Sequence, residues 1–290
     1  MQLRSAAGVR PARPPGRGHR WPLLVLALLV AIGGSVVVHA LLQREQLAYR
    51  LLRDLPEAAG RDPTLTRFAA ALARPVFAER CAACHGADMR GKPAVGAPDL
   101  TDGVWLWGNG SVHDIERTIL YGVRAGISKT RDVDDMPAFG LKGTFVYQGV
   151  PGFKGRVVGG AALDSGQVWD LVQYLLKINH RRYQSEAASI GERLSHQGST
   201  SCRDCHAPDL EGVSGYGAPD LTINVWNNGG TSQDLYDSIY FGRQRMMLAW
   251  QGVLTLEQIR ALAVYIHSVS HEKGRPGPAS TSATFGQGEQ

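Results

Sequence analysis

Two stretches of the chain read Cys-x-x-Cys-His: Cys81-Ala82-Ala83-Cys84-His85 and Cys202-Arg203-Asp204-Cys205-His206. Two thiols at this spacing can add to the vinyl groups of a porphyrin, and the adjacent imidazole is placed to bind the iron. The motifs use all four cysteines of the sequence. A zinc site built from two Cys pairs keeps the pairs about 15–20 residues apart. Here more than a hundred residues separate them. A redox dithiol requires no following His, and both copies have one. The residues point to two covalent c-type haems, held through Cys81, Cys84, Cys202 and Cys205, with His85 and His206 on the irons.

The motifs sit in a longer repeat. A shift of 121 residues lays the first motif on the second, and the register then holds without a gap. Gly96-Ala97-Pro98-Asp99-Leu100-Thr101 falls on Gly217-Ala218-Pro219-Asp220-Leu221-Thr222, and Trp105 falls on Trp226. One residue is lost soon after, so that Asp114, Ile119 and Gly122 match Asp234, Ile239 and Gly242. Farther on, Asp164, Gln167 and Tyr174 match Thr255, Gln258 and Tyr265. Two long copies indicate duplication of one small domain rather than a solenoid.

A low-spin haem takes a second axial ligand opposite the His, usually Met or His. Of the five methionines, Met1 is the initiator and Met89 lies too close to His85 to reach the far face of the same haem. Met136, in Asp-Met-Pro-Ala-Phe, lies well downstream of His85, and Met247, in Met-Leu-Ala-Trp, lies downstream of His206. The shared Met-x-Ala-aromatic pattern aligns them, which makes Met136 and Met247 the distal candidates, with Met246 as the alternate. A Met can equally be a flexible core filler. His113, His180, His196, His267 and His271 leave a bis-His site open.

The elements that must position these groups are helical. Residues 66–80 carry Phe68, Leu72, Val76 and Phe77 at helical spacing and deliver the first motif, with Pro75 expected to kink or restart the helix. Residues 114–121 read as a short helix. Residues 164–178 read as an amphipathic helix opened by a capping box. The second copy repeats the set at 186–196, 232–241 and 255–269. Gly-, Pro- and Asn-rich loops run between. No alternating strand pattern dominates, so the expected class is all-α. An insertion at 141–163, present only in the first copy, reads as a hairpin, a partner-facing loop or a plain surface insertion.

Residues 22–42 are almost wholly apolar and long enough for one membrane-spanning helix. Arg4, Arg10, Arg13, Arg17 and Arg20 precede it with no acidic residue, which predicts that the N-terminus stays inside and the rest is exported. A cleaved signal peptide, with Val38-His39-Ala40 as its site, is the rival, but the apolar run exceeds the usual signal core. Those five arginines account for the whole net charge of +5. The high pI therefore carries no implication of nucleic-acid binding. Haem propionates would make the exported part slightly acidic, which suits a basic electron carrier. The domain reading is an arm (1–21), an anchor (22–42), a connector (43–62), a first haem domain (63–182), a second (183–272) and a disordered tail (273–290). Domains this small draw much of their core from the porphyrin and would fold poorly without it.

A membrane anchor followed by two such domains resembles the dihaem subunit III of cbb3-type cytochrome c oxidases over residues 64–270. The likeness rests on both haem motifs, both Pro-Asp-Leu segments, Asp135-Met136-Pro137-Ala138-Phe139 and Met247-Leu248-Ala249-Trp250. Leu248 departs from the Pro that is common there. The resemblance implies tandem class I cytochrome c domains in which Pro98 and Pro219 present carbonyls to the proximal His residues. It implies that Trp105 and Trp226 line the haem pockets, and that Arg124 meets a propionate or else solvent. It also implies a bacterial inner-membrane protein with its haems in the periplasm, catalysing no bond-making step itself. Such a protein takes electrons from a soluble cytochrome or a quinol-oxidising complex and passes them to an oxygen-reducing partner. A stand-alone anchored carrier, or the cytochrome subunit of a periplasmic dehydrogenase, would share these motifs. A dihaem peroxidase would need an open distal position, and a Met candidate in each copy argues against one.

Overall fold

The computed structural model describes residues 21–133, 135–141, 163–196 and 201–271. The arginine arm, almost all of the expected insertion and the C-terminal tail lie outside these residues. Among the described residues the regular structure is helical, with isolated β-bridges in place of strands. This is the all-α class that the sequence predicts.

Helix α1 spans Trp21–Arg53 and is about 50 Å long at the usual helical rise. It is the one described helix long and apolar enough to cross a membrane. Leu23, Leu26, Leu29, Ile32 and Val36 are each more than half exposed, as a lipid-facing segment requires. The polar connector expected over residues 43–62 is instead mostly helical. Residues 43–53 hold no Gly or Pro and are rich in Leu, Gln, Glu and Arg, all good helix formers, so α1 runs on to Arg53. A second short helix, α2, follows at Pro56–Arg61.

Helix α3 spans Pro63–Arg80, with Asp62 as N-cap accepting from the Thr64 and Leu65 N–H groups. It passes through Pro75 as one continuous helix. Pro75 costs only the bond that the Ala71 carbonyl would accept. The buried face of Leu65, Ala69, Ala73, Val76 and Phe77 holds the helix on both sides of it. The one-turn helix α4, Ala82–His85, carries the first motif. Helix α5, Val112–Tyr121, is capped by Ser111. Helix α6, Ser165–Ile178, opens with the expected Asp164/Gln167 capping box. The second copy supplies α7 (Ser185–Leu194), α8 (Arg203–His206), α9 (Ser232–Phe241) and α10 (Leu256–Ser270). Thr231/Asp234 and Thr255/Gln258 capping boxes open α9 and α10.

The last helix of each copy packs on the other copy. Helix α6 lies against α7 and α9, and α10 lies against α3, α5 and α2. The short turn between Asn179 and Gln184 dictates the first pairing, since a brief connection leaves two helices as antiparallel neighbours. Gly191 on α7 sits so close to α6 that an added Cβ would fall 2.0 Å from the Asp170 carbonyl oxygen. Lys177 and Glu192 form an ion pair at 2.9 Å across the same contact, and the Asn179 side-chain amide donates to the Leu221 carbonyl at 2.8 Å. On the other side α10 buries Ile259, Leu262, Val264 and Ile266. Its Arg260 pairs with Glu116 of α5 at 2.9 Å and donates to the carbonyls of Leu51 and Asp54 at 3.1 Å.

Candidate haem sites

Both motifs open on one continuous cavity of about 800 Å³. Cys81, Cys84, His85, Cys202, Cys205, His206, Met136 and Met247 all line it. Each motif is wound into a single helical turn, with the His N–H donating to the carbonyl of the first Cys at 2.9 Å in both copies. That turn brings two thiols and one imidazole to the same side of the backbone.

The imidazoles are held alike. His85 Nδ1 lies 3.3 Å from the Pro98 carbonyl oxygen, and His206 Nδ1 lies 2.8 Å from that of Pro219. A carbonyl only accepts, so Nδ1 carries the proton and Nε2 keeps its lone pair for a metal. The Pro-bearing loop is rigid in turn: Asp99 accepts from the Thr101 hydroxyl at 2.7 Å, and Asp220 from that of Thr222 at 2.6 Å. Burial holds the pKa of both His85 and His206 below the ordinary imidazole value, with the carbonyl bond opposing it. The neutral form, the one that ligates iron, is thereby favoured. Burial also pushes the Cys81 and Cys202 thiols up to about 11.

The residues fit the group. The walls include Phe77, Leu100, Ile115, Leu210 and Leu221, an apolar lining suited to a porphyrin face. The indole N–H of Trp105, on the wall, is buried without an acceptor. A donor in that state needs a partner, and a propionate is one. Trp226, its repeat mate, donates instead to Asn224 at 2.8 Å. Among the described lining residues the only imidazoles are His85 and His206. His113, His180, His196, His267 and His271 lie elsewhere, which leaves methionine as the soft ligand available on the wall.

The β-bridges distinguish the methionines. Met136 pairs with Arg243, and Met247 pairs with Val123. Val123 and Arg243 follow the repeat-matched Gly122 and Gly242, so Met136 and Met247 occupy equivalent places. Met246 falls out of that register and is exposed, while Met247 is half-buried. Arg124 lines the cavity but is not a solvated charge. Its side chain is 11% exposed and pairs with Asp135 at 2.5 Å, and it also donates to the Arg245 carbonyl at 3.1 Å. The Gln244 amide donates to the same carboxylate. Sequence reasoning missed this network because its members lie in different copies. The nearest signal was a cation and an acid placed beside the two methionine-bearing segments.

Comparison with known proteins accords with this geometry. Residues 70–179 match the family model described as Cytochrome c. Residues 186–266 match that described as Cytochrome C oxidase, cbb3-type, subunit III. The chain is 30% identical over 258 residues to the cbb3-type cytochrome c oxidase subunit CcoP of Cereibacter sphaeroides, covering 86% of this chain and 80% of that one. It is 35% identical over 214 residues to the subunit FixP of Bradyrhizobium sp. strain ORS 278. That alignment covers 73% of this chain and 65% of the relative. CcoP of Azospirillum brasilense is 35% identical over 215 residues, at 72% and 65% coverage. The chain thus spans about two thirds of the length of several of the relatives it matches. Two cytochrome c domains and these relatives imply two covalently bound c-type haems. By its fold, its paired motifs and its likeness along most of its length, the chain belongs to the cbb3-type cytochrome c oxidase subunit III family, that of CcoP and FixP.

Proposed function

We propose that this chain is a membrane-anchored relay that carries electrons one at a time to the oxygen-reducing core of a cbb3-type oxidase. Cys81 and Cys84 hold one haem by thioether bonds, and Cys202 and Cys205 hold the other. His85 and His206 are the proximal ligands, and Met136 and Met247 the distal ones. The haem iron supplies the one-electron chemistry when bound. The chain supplies orientation, burial and ligand identity, and His/Met ligation in an apolar pocket favours a relatively high potential.

The observation that carries this reading is the repeated bond from His Nδ1 to a proline carbonyl over a shared cavity. Two imidazoles held alike on one compartment suit passage of electrons between the haems they would bind. Helix α1 anchors the relay. The five arginines before it support an orientation with the haems in the periplasm. A soluble cytochrome or a quinol-oxidising complex is the donor class this placement suits.

Purification from native membranes in mild detergent, followed by haem typing and oxygen uptake, tests the proposal. Co-purifying b-type haem and copper with cytochrome-dependent uptake is the expected result. Recovery with c-type haem alone and no uptake would make the protein a stand-alone carrier. A co-purifying flavin- or quinone-bearing dehydrogenase would make it that enzyme's electron outlet.

A further inference from the structure

We propose that Trp107 is a positioning residue for the second proximal imidazole: acting from the first copy, it holds His206 tighter on its carbonyl than His85 is held. The inference rests on the reading of His85 and His206 as iron ligands and deepens it, since it makes the two haem sites unequal.

The loops that carry the accepting carbonyls are the same in sequence, Gly96-Ala97-Pro98-Asp99-Leu100-Thr101 and Gly217-Ala218-Pro219-Asp220-Leu221-Thr222. They also fold alike. Ala97 bridges to Lys92, and Ala218 to Val213. The Leu100 N–H donates to the Met89 carbonyl and the Leu221 N–H to that of Leu210, each at 2.8 Å. Gly96 and Gly217 have φ of 65° and 71°. Yet the bonds to the imidazoles differ. His206 Nδ1 lies 2.8 Å from its carbonyl oxygen, and His85 Nδ1 lies 3.3 Å from its own. The first is a good N–H to oxygen length, and the second lies beyond the usual range.

What presses on the two loops differs as well. A shift of 121 residues lays Trp107 on Asn228, and each of these meets the glycine of the other copy. A Cβ on Gly217 would fall into the Trp107 indole. A Cβ on Gly96 would instead meet the Asn228 amide oxygen at 2.7 Å and the Arg245 side chain. A bare glycine lets the flat ring lie directly on the backbone, two residues before Pro219. The ring is braced from behind. The Arg131 guanidinium stands 5.8 Å from its centroid, a cation over an aromatic face, and Arg131 pairs with Asp114 of α5 at 3.0 Å. Asn228 is a short polar side chain whose oxygen accepts from Arg245 Nε at 3.2 Å. An aromatic plate backed by a helix restrains a loop more than an amide tied to a flexible side chain. Trp107 and Asn228 both line the shared cavity.

A stronger bond from Nδ1–H makes the ring a more basic ligand at Nε2. A more basic ligand favours the ferric ion. Trp107 therefore lowers the midpoint potential of the haem held by Cys202 and Cys205.

The test uses the full-length, haem-loaded protein in detergent, labelled with ¹⁵N-histidine and kept ferrous. Nuclear Overhauser contacts from the thioether protons assign each imidazole to its haem. In the unaltered protein the His206 Nδ1–H should exchange with solvent several-fold more slowly than that of His85. Trp107→Asn puts the second copy's residue in the first. It should bring the two exchange rates together and raise the midpoint potential of the Cys202/Cys205 haem, followed through its assigned resonances. The other haem should not move. Trp107→Phe keeps an aromatic plate and should restore both readings. Equal rates in the unaltered protein would overturn the proposal, as would a potential that Trp107→Asn leaves in place. Equal shifts at both haems, the mark of general loosening, would overturn it too. If neither imidazole of the unaltered protein shows the nitrogen shift of an iron ligand, the ligand reading itself falls and takes the proposal with it.

Discussion

The Arg124–Asp135 pair sits where the two methionine segments meet, and both side chains are nearly excluded from solvent. A buried carboxylate and guanidinium are costly apart and tolerable together. Asp135→Ala should therefore destabilise the folded chain by up to about 3–5 kcal/mol, less whatever Asp132, 4.0 Å from the same guanidinium, compensates. Chemical denaturation followed by circular dichroism reads this loss. A mild effect, near that of an exposed pair, would mean that water reaches the site. Asp102 behaves differently. Burial lifts its pKa from 3.8 to about 6, against the bond it accepts from the Val104 N–H. A carboxyl that binds its proton more tightly when folded costs stability as pH rises past its unfolded value, and fully so above its folded one. Asp102→Asn keeps the acceptor and removes the charge. It should raise the unfolding temperature at about pH 7.5 and leave it nearly unchanged at about pH 4. Equal gains at both pH values would refute the assignment.

Helix boundaries follow from capping chemistry, and that much is legible in the sequence. Asp164 with Gln167 and Thr255 with Gln258 announce α6 and α10, and both boxes form. Residues 44–53 were harder to read, because a polar stretch after an apolar one reads as a linker while its residues are helix formers. Pro75 was harder still, because packing on both sides outweighs one lost bond. The periodicity of α6 and α10 specifies an apolar face but not which copy covers it. Two repeats offer equivalent surfaces, and the choice falls to the short turn between α6 and α7. The close crossing at Gly191 is the place to test that contact. Gly191→Val would drive its side chain into the α6 backbone at Asp170. A loss of about 1–3 kcal/mol is expected from such overpacking, with broadened haem spectra from the second site. Unchanged stability would mean that α6 does not hold this position.

For the molecule as a whole, each pocket is closed by a helix from the far copy. The two c-type haem motifs were legible, since four Cys and two His stand at fixed spacing. Which copy closes each pocket was not, because spacing along a chain says nothing about exchange of helices between homologous halves. Interlocked cores should melt together. Urea unfolding is expected to lose the absorbance of both haems and the far-ultraviolet dichroism in one transition. Two separated steps would show that each copy is stable by itself.

The exchange also orders events during biosynthesis. The pocket around the first motif is finished only when α10 arrives, and α10 begins at Leu256. About 150 residues separate the end of α5 from the end of α10. At a synthesis rate of about 5–20 residues per second, this leaves a window of roughly 8–30 s. Throughout that interval Cys81 and Cys84 belong to a chain that cannot yet close over them. A ligase that must reach two thiols and a vinyl-bearing ring works best on an open chain. The far-copy closing helix therefore acts as a timer, holding the first attachment site accessible until that helix has emerged.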